Sequence, residues 1–269
     1  MQEMTGKVLR IEKTSIHDGE GLRTVVFLMG CPLRCAWCST PESQLRYQTQ
    51  AEACGYGKEM SVSQVVKEVC KDSVFFFHSG GGVTISGGEV LLQSAFAKEI
   101  LKECMMDGMQ TAIETSLFAD YEKDIAPLLP YLSAMYVDFK LCDEEMHRKY
   151  TGVFNERIKK NLLRLNEEYD RPIHIRIPTI PGVNMTRENM VKTAAFLRSL
   201  KNVKDIELLP YHKLGSDTYR KLQVTYELPD VESPSFDSLK EMAEVLVREC
   251  PGKQIKIKGE PVDPVSLTE

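Results

Sequence analysis

Val83-Thr84-Ile85-Ser86-Gly87-Gly88 is a short β-branched run ending on two glycines, and Leu92, Phe96, Ile100 and Cys104 follow it at steps of four. The run has the length of one buried strand, and the stepping is that of one helix face. Together they make a βα unit. The same alternation recurs along the chain. Strands are predicted over 24–30, 83–88, 110–116, 134–140, 172–180 and 204–211, with a short leading strand over 8–15. Helical patterns cover 155–167, 186–200 and 236–250, and Ser61-x-x-Gln64 is a capping box ahead of Val62, Val65, Val66 and Val69. Most of the strand runs are almost wholly apolar, as expected of parallel strands covered on both faces. Six βα units in series imply right-handed crossovers between parallel strands. Six rather than eight predicts a partial (β/α)6 TIM-like barrel, α/β in class and open on one side. A single domain is expected, with a core over about 6–250 and a C-terminal extension over 251–269.

Composition agrees with that reading. The chain has 269 residues, 42% of them apolar, and a formal net charge of −5. These values exclude a disordered or collagen-like chain and argue against an electrostatic grip on nucleic acid. No apolar run approaches the ~20 residues of a membrane helix, and the first residues lack the layout of a signal peptide. The expectation is therefore a cytoplasmic protein whose eight cysteines are ligands, core fillers or catalytic groups rather than a disulfide framework.

In wound α/β folds, ligands sit at the C-terminal ends of the strands. Unusual polar residues collect there. Cys31 follows the first predicted strand of the series, and Gly87-Gly88-Glu89 ends the second. Glu114-Thr115 ends the third, Asp138 and Lys140 the fourth, and Tyr211-His212 the sixth. Cys31-Pro-Leu-Arg-Cys35-Ala-Trp-Cys38 is a C-x3-C-x2-C motif. Three thiolates from one loop suit three corners of an iron–sulfur cube, leaving one iron open for a ligand. The competing reading is a structural zinc site with a distant fourth ligand, as in a non-enzymatic metal protein. Cys70, Cys104 and Cys250 read as core residues on helix faces. Cys54 sits in a polar loop, and Cys142 reads equally as packing or as a neighbour of the site.

The motif, with Trp37 just before its last cysteine, resembles the cluster loop of the radical S-adenosylmethionine (SAM) enzymes. Further segments resemble the glycyl-radical-enzyme activating enzymes, a family that includes the pyruvate formate-lyase activators. These are Asp18-Gly19-Glu20-Gly21-Leu22-Arg23, the stretch from Ser79 to Glu89, Asp138-Phe139-Lys140, Thr151-Gly152-Val153, Ile180-Pro181-Gly182-Val183 and Glu207-Leu208-Leu209-Pro210-Tyr211-His212. The resemblance implies a (β/α)6 partial barrel that cleaves SAM reductively at one [4Fe–4S] cluster and abstracts a glycine Cα hydrogen. The product would be a glycyl radical on a partner enzyme. The implied electron donor is flavodoxin or ferredoxin, and the chain is expected to be a monomer. Another hydrogen-abstracting radical SAM enzyme is the alternative within the class.

The resemblance also assigns roles. Cys31, Cys35 and Cys38 would ligate the cluster, and Trp37 and Ser39 would flank the nucleoside. Gly87, Gly88 and Glu89 would approach the methionyl amino group. Asp138, Phe139 and Lys140 would contact SAM, with His212 on its adenosyl part. Asp18 would lie in a lid near the glycine-bearing peptide, and Arg176 reads equally as a carboxylate binder or a structural partner. Glu114, Thr115 and Asp138 would hold a sodium or potassium ion, with glutamate where the pyruvate formate-lyase activators have aspartate. A ferredoxin-like insert with two more clusters, found in longer members after the cysteine loop, is expected to be absent, because only Cys54 remains there.

Overall fold

The computed structural model describes residues 3–262. By their contacts they form two compact units. The first takes in the residues up to Pro32, Thr40–Met135 and Thr218–Val224. Its elements are β1 (Thr5–Ser15), β2 (Arg23–Leu28), α1 (Gln48–Ala53), β3 (Lys58–Ser61), α2 (Val62–Cys70), α3 (Ser73–Ser79), β4 (Gly82–Gly87), α4 (Ser94–Met106) and β5 (Gln110–Thr115). The strand order is β3-β1-β2-β4-β5. β1 runs antiparallel to β2 and β3, whereas β2, β4 and β5 are mutually parallel in that order. β2 and β4 are buried along nearly their whole length, which is why they read as continuous apolar runs.

The division falls within β6 (Ala134–Asp138). The second unit takes in Leu33–Ser39, Tyr136–Asp217 and the described residues from Thr225 on. After β6 come α5 (Glu144–Thr151), α6 (Glu156–Glu168), β7 (Ile173–Thr179), α7 (Arg187–Leu197), β8 (Val203–Pro210), α8 (Ser216–Lys221), α9 (Phe236–Glu249), β9 (Gln254–Ile257) and β10 (Glu260–Pro261). Here the order is β6-β7-β8-β9-β10, with β7, β8 and β9 parallel and β10 an antiparallel edge. The fold is α/β with an open, unclosed sheet, as the six βα units predict.

The Ser61–Gln64 capping box forms, with each side chain bonded to the other's backbone N–H, at 3.3 and 2.9 Å. Phe96, Ile100 and Cys104 are buried on α4, but Leu92 is 48% exposed in the turn before that helix. The stepping by four thus starts one turn earlier than the helix does. β9 lies in the segment read as an extension, and its Ile255 and Ile257 are buried beside β8. Four residues are too few for a period of two to register in sequence. Cys104 and Cys250 are core residues, whereas Cys70 is half-buried with its Sγ 3.8 Å from Asp107 Oδ2. Cys54 is exposed, its Sγ 3.5 Å from the Lys221 carbonyl oxygen.

Candidate active site

In the first unit, β2 ends at Leu28 and the chain turns through Gly30 to Cys31. Leu45 N–H donates to the Cys31 carbonyl at 3.0 Å, which ties the start of the cysteine loop to the segment that follows it. Gly87 and Gly88 zip against the same turn. Gly88 N–H donates to Leu28 O and Glu89 N–H to Gly30 O, at 2.9 and 2.8 Å. A Cβ on Gly88 would lie 2.3 Å from Gly30 O and 3.1 Å from Cys31 Cβ. Only glycine lets the end of β4 approach the cysteine loop so closely.

Glu89 is 2% exposed. Its carboxylate accepts from Thr115 Oγ at 2.5 Å, from Ser116 N and Oγ at 2.9 and 2.5 Å, and from Leu91 N at 3.2 Å. That set ties the end of β4 to the end of β5. Glu114 points to the other side of β5, where its Oε2 accepts from Ser86 Oγ at 2.5 Å. The Glu114 and Thr115 side chains therefore have different partners, as strand alternation requires. Asp18 belongs to the loop before β2. Its carboxylate accepts from the Ser15 hydroxyl, and its carbonyl accepts from Thr84 Oγ at 2.7 Å. Thr84 in turn accepts from the buried Arg23 at 3.0 Å. This places Asp18 at the level of Thr84, early in β4, rather than at its glycine end.

In the second unit, Arg34 and Ala36 donate their N–H groups to the carbonyls of Thr151 and Tyr150, at 2.7 and 2.9 Å. The last turn of α5 thus receives the cysteine loop through carbonyls a helix leaves unused. Trp37 is buried, its ring centroid 6.5 Å from that of Tyr150. Cys35 is 8% exposed, and burial pushes its thiol up to about 12, with the Lys140 ammonium pulling the other way. Lys140 Nζ pairs with Asp138 Oδ2 at 2.9 Å. Phe139, between them, faces away and stacks on Phe196 at 5.5 Å, so only its backbone shares the side of Asp138 and Lys140. Ser39 and His212 are exposed, and His212 Nδ1 accepts from Leu214 N–H at 3.4 Å. Arg176 pairs with Glu207 at 3.8 Å and lies over the Tyr136 ring.

Sequence reasoning did not single out the part played by α5. His147, buried in that helix, bonds through Nδ1 to the Val153 carbonyl at 2.7 Å, and Thr151 Oγ donates to the His147 carbonyl at 2.8 Å. The segment Thr151-Gly152-Val153 was the available signal.

Among the described residues no three His, Cys, Asp or Glu side chains converge as for a single metal ion. The donor set suits a thiolate-bound cluster instead. A buried thiol such as Cys35 ionises only beside positive charge, which iron supplies and Lys140 reinforces.

An α/β fold with an open sheet and a three-cysteine loop leaving a parallel strand defines a class, and the comparisons fall within it. The profile of the radical SAM superfamily matches residues 25–196. The chain is 35% identical to a (2S)-3-sulfopropanediol dehydratase activating enzyme of Klebsiella oxytoca, over an alignment of 286 residues covering 86% of this chain and 90% of that one. It is also 35% identical to a pyruvate formate-lyase-activating enzyme of Clostridium pasteurianum, over 243 residues covering 90% and 97%. Among solved structures, a domain of a pyruvate-formate lyase-activating enzyme from Bacteroides vulgatus superposes with a TM-score of 0.55 at 34% identity, covering 66% of this chain and 99% of that domain. The chain belongs to the glycyl-radical-enzyme activating enzymes of the radical SAM superfamily. Its cofactors are those of the superfamily, a [4Fe–4S] cluster and SAM.

Proposed function

We propose that the chain installs a glycyl radical on a partner enzyme, using Cys31, Cys35 and Cys38 as the three cluster ligands. When bound, the cluster and SAM supply the one-electron chemistry. The protein's part is to hold and shield. Cys35 is the observation that carries the reading: it is 8% exposed, burial disfavours its thiolate, and the Lys140 ammonium favours it. Lys140 and Asp138 offer one positive and one negative group, which matches the carboxylate and ammonium of an amino acid such as the methionyl part of SAM. Trp37, buried with its ring 6.5 Å from that of Tyr150, holds the loop between Cys35 and Cys38 against α5. Glu89 acts through Thr115 and Ser116 and fixes the strand ends.

One cluster per chain is part of the same reading. The Klebsiella alignment is longer than this 269-residue chain, so that relative carries residues this one lacks. The Clostridium alignment is shorter than the chain. Cys54 is one thiol where two extra cubanes need about eight. A flavodoxin or ferredoxin would then reduce the single cluster of a monomer in the cytosol, where thiols stay reduced. Among the described residues no helix is long and apolar enough to cross a membrane.

The test is anaerobic incubation with candidate glycyl radical enzymes, SAM and reductant, followed by electron paramagnetic resonance. A glycyl doublet on one partner is expected. Cleavage of SAM with no radical on any glycyl radical enzyme would point to another hydrogen-abstraction substrate.

A further inference from the structure

Gly215 stands at the centre of the Lys213–Ser216 turn between His212 and α8, but the turn itself does not demand a glycine. Its φ lies outside the left-handed region. What it meets is backbone: a Cβ at this position would lie 2.9 Å from Cys38 O, 2.9 Å from Ser39 Cα and 2.9 Å from Ser39 O. That is about 0.5 Å short of ordinary carbon contact. The obstacles are main-chain atoms, which cannot swing aside as the end of a long side chain can. The loop itself is held, since Ser216 N–H donates to the Lys213 carbonyl at 3.0 Å and Leu214 N–H to His212 Nδ1 at 3.4 Å. One glycine thus joins the loop that carries His212 to the residue that follows Cys38.

We infer that Gly215 is a positioning residue for SAM: its missing side chain lets the Cys38–Ser39 backbone seat at the distance from the His212 loop that the nucleoside requires. The inference rests on the proposed roles of Cys38 in the cluster and of Ser39 and His212 beside the nucleoside. An alanine here must push the Cys38–Ser39 segment or the His212 loop outward. Displacements of this size at a reacting centre cost on the order of tenfold.

Trp37 is the only tryptophan in the chain and lies one residue before Cys38, so its fluorescence reads this loop in cluster-free protein. Gly215→Ala should shift Trp37 emission to the red and admit acrylamide. Leu214→Ala should leave it unchanged, because Leu214 is 81% exposed. In reconstituted protein, Gly215→Ala should raise the dissociation constant for SAM about tenfold and weaken the SAM-induced change in the cluster's paramagnetic spectrum. Loss of iron in a variant with native circular dichroism would also support the inference, because it would show that Cys38 has moved. Native Trp37 emission with unchanged SAM affinity would overturn it.

A second measurement needs no variant. In the wild-type holoprotein, SAM should slow amide exchange over 38–40 and 213–216 together. Slowing over 38–40 alone would overturn the inference even if Gly215→Ala failed to fold. Wild-type protein that takes up no iron or shows no response to SAM would instead refute the proposed function.

Discussion

Glu89 accepts hydrogen bonds from both the backbone N–H and the hydroxyl of Ser116, at 2.9 and 2.5 Å, across 27 residues of sequence. With Thr115 on its other oxygen, this carboxylate joins two parallel strands at the end where the cysteine loop leaves. Glu89→Gln keeps one acceptor and turns an amide N–H₂ toward donors. The expected loss is about 2–3 kcal/mol of stability, the scale of hydrogen bonds to a buried charge. Thermal unfolding of cluster-free protein checks it. An unchanged melting temperature would mean that Glu89 is held by nothing that matters to the fold.

How much of this was legible beforehand differs by residue. Cys31, Cys35 and Cys38 lie within eight positions, so a motif reads them directly, and the parallel strands are continuous apolar runs. Gly-Gly-Glu after a strand suggests a ligand contact at Glu89, while its Ser116 partnership is long-range and has no local signature. Gly215 leaves no pattern at all, since a close approach of backbones is invisible until both segments are folded. α5 was missed for a different reason: it has eight residues, and only His147 and Thr151 of them are buried, too few to show a helical period.

His147 predicts a pH dependence. Burial pushes it down to about 4, below the usual imidazole value of about 6.5. The unfolded chain therefore binds a proton in the window between those values that the folded chain refuses. Its contribution to stability is complete above about pH 6.5 and is lost as pH falls toward 4. Because α5 receives the cysteine loop through Tyr150 and Thr151, acid should release iron from the holoprotein in the same window. His147→Asn retains a donor for the Val153 carbonyl and cannot titrate, so its stability should change less with pH over that range. Parallel slopes for wild type and variant would remove His147 as the cause.

The cation proposal makes a sharper demand on Glu114. Thr115 Oγ donates to Glu89 and accepts from Leu117 N–H, which leaves its oxygen one lone pair for an ion, and Glu114 would supply a carboxylate. Potassium or sodium should then tighten SAM binding in the wild type, and Glu114→Gln should abolish that dependence. Affinity indifferent to both ions, with Glu114→Gln unaltered, would leave Glu114 a structural partner of Ser86 rather than a cation ligand.

The number of clusters is decided by iron, and the cysteines separate the alternatives. Reconstituted wild-type protein should hold about four irons per chain, the content of one cubane. Cys35→Ala removes a buried ligand beside Lys140 and should lose both the iron and the reductive cleavage of SAM. Cys54→Ala removes an exposed thiol whose Sγ lies 3.5 Å from the Lys221 carbonyl oxygen, and should keep both. The segment between the cysteine loop and β3 is occupied by α1, where Ala51 packs with Met29 and Leu222 in a small core of its own. Cys54 closes that helix and brings no second cysteine with it. About eight or twelve irons per chain, or an auxiliary signal that vanishes in Cys54→Ala while SAM cleavage persists, would replace the one-cluster reading. About four irons with full cleavage activity in Cys35→Ala would overturn the ligand assignment itself.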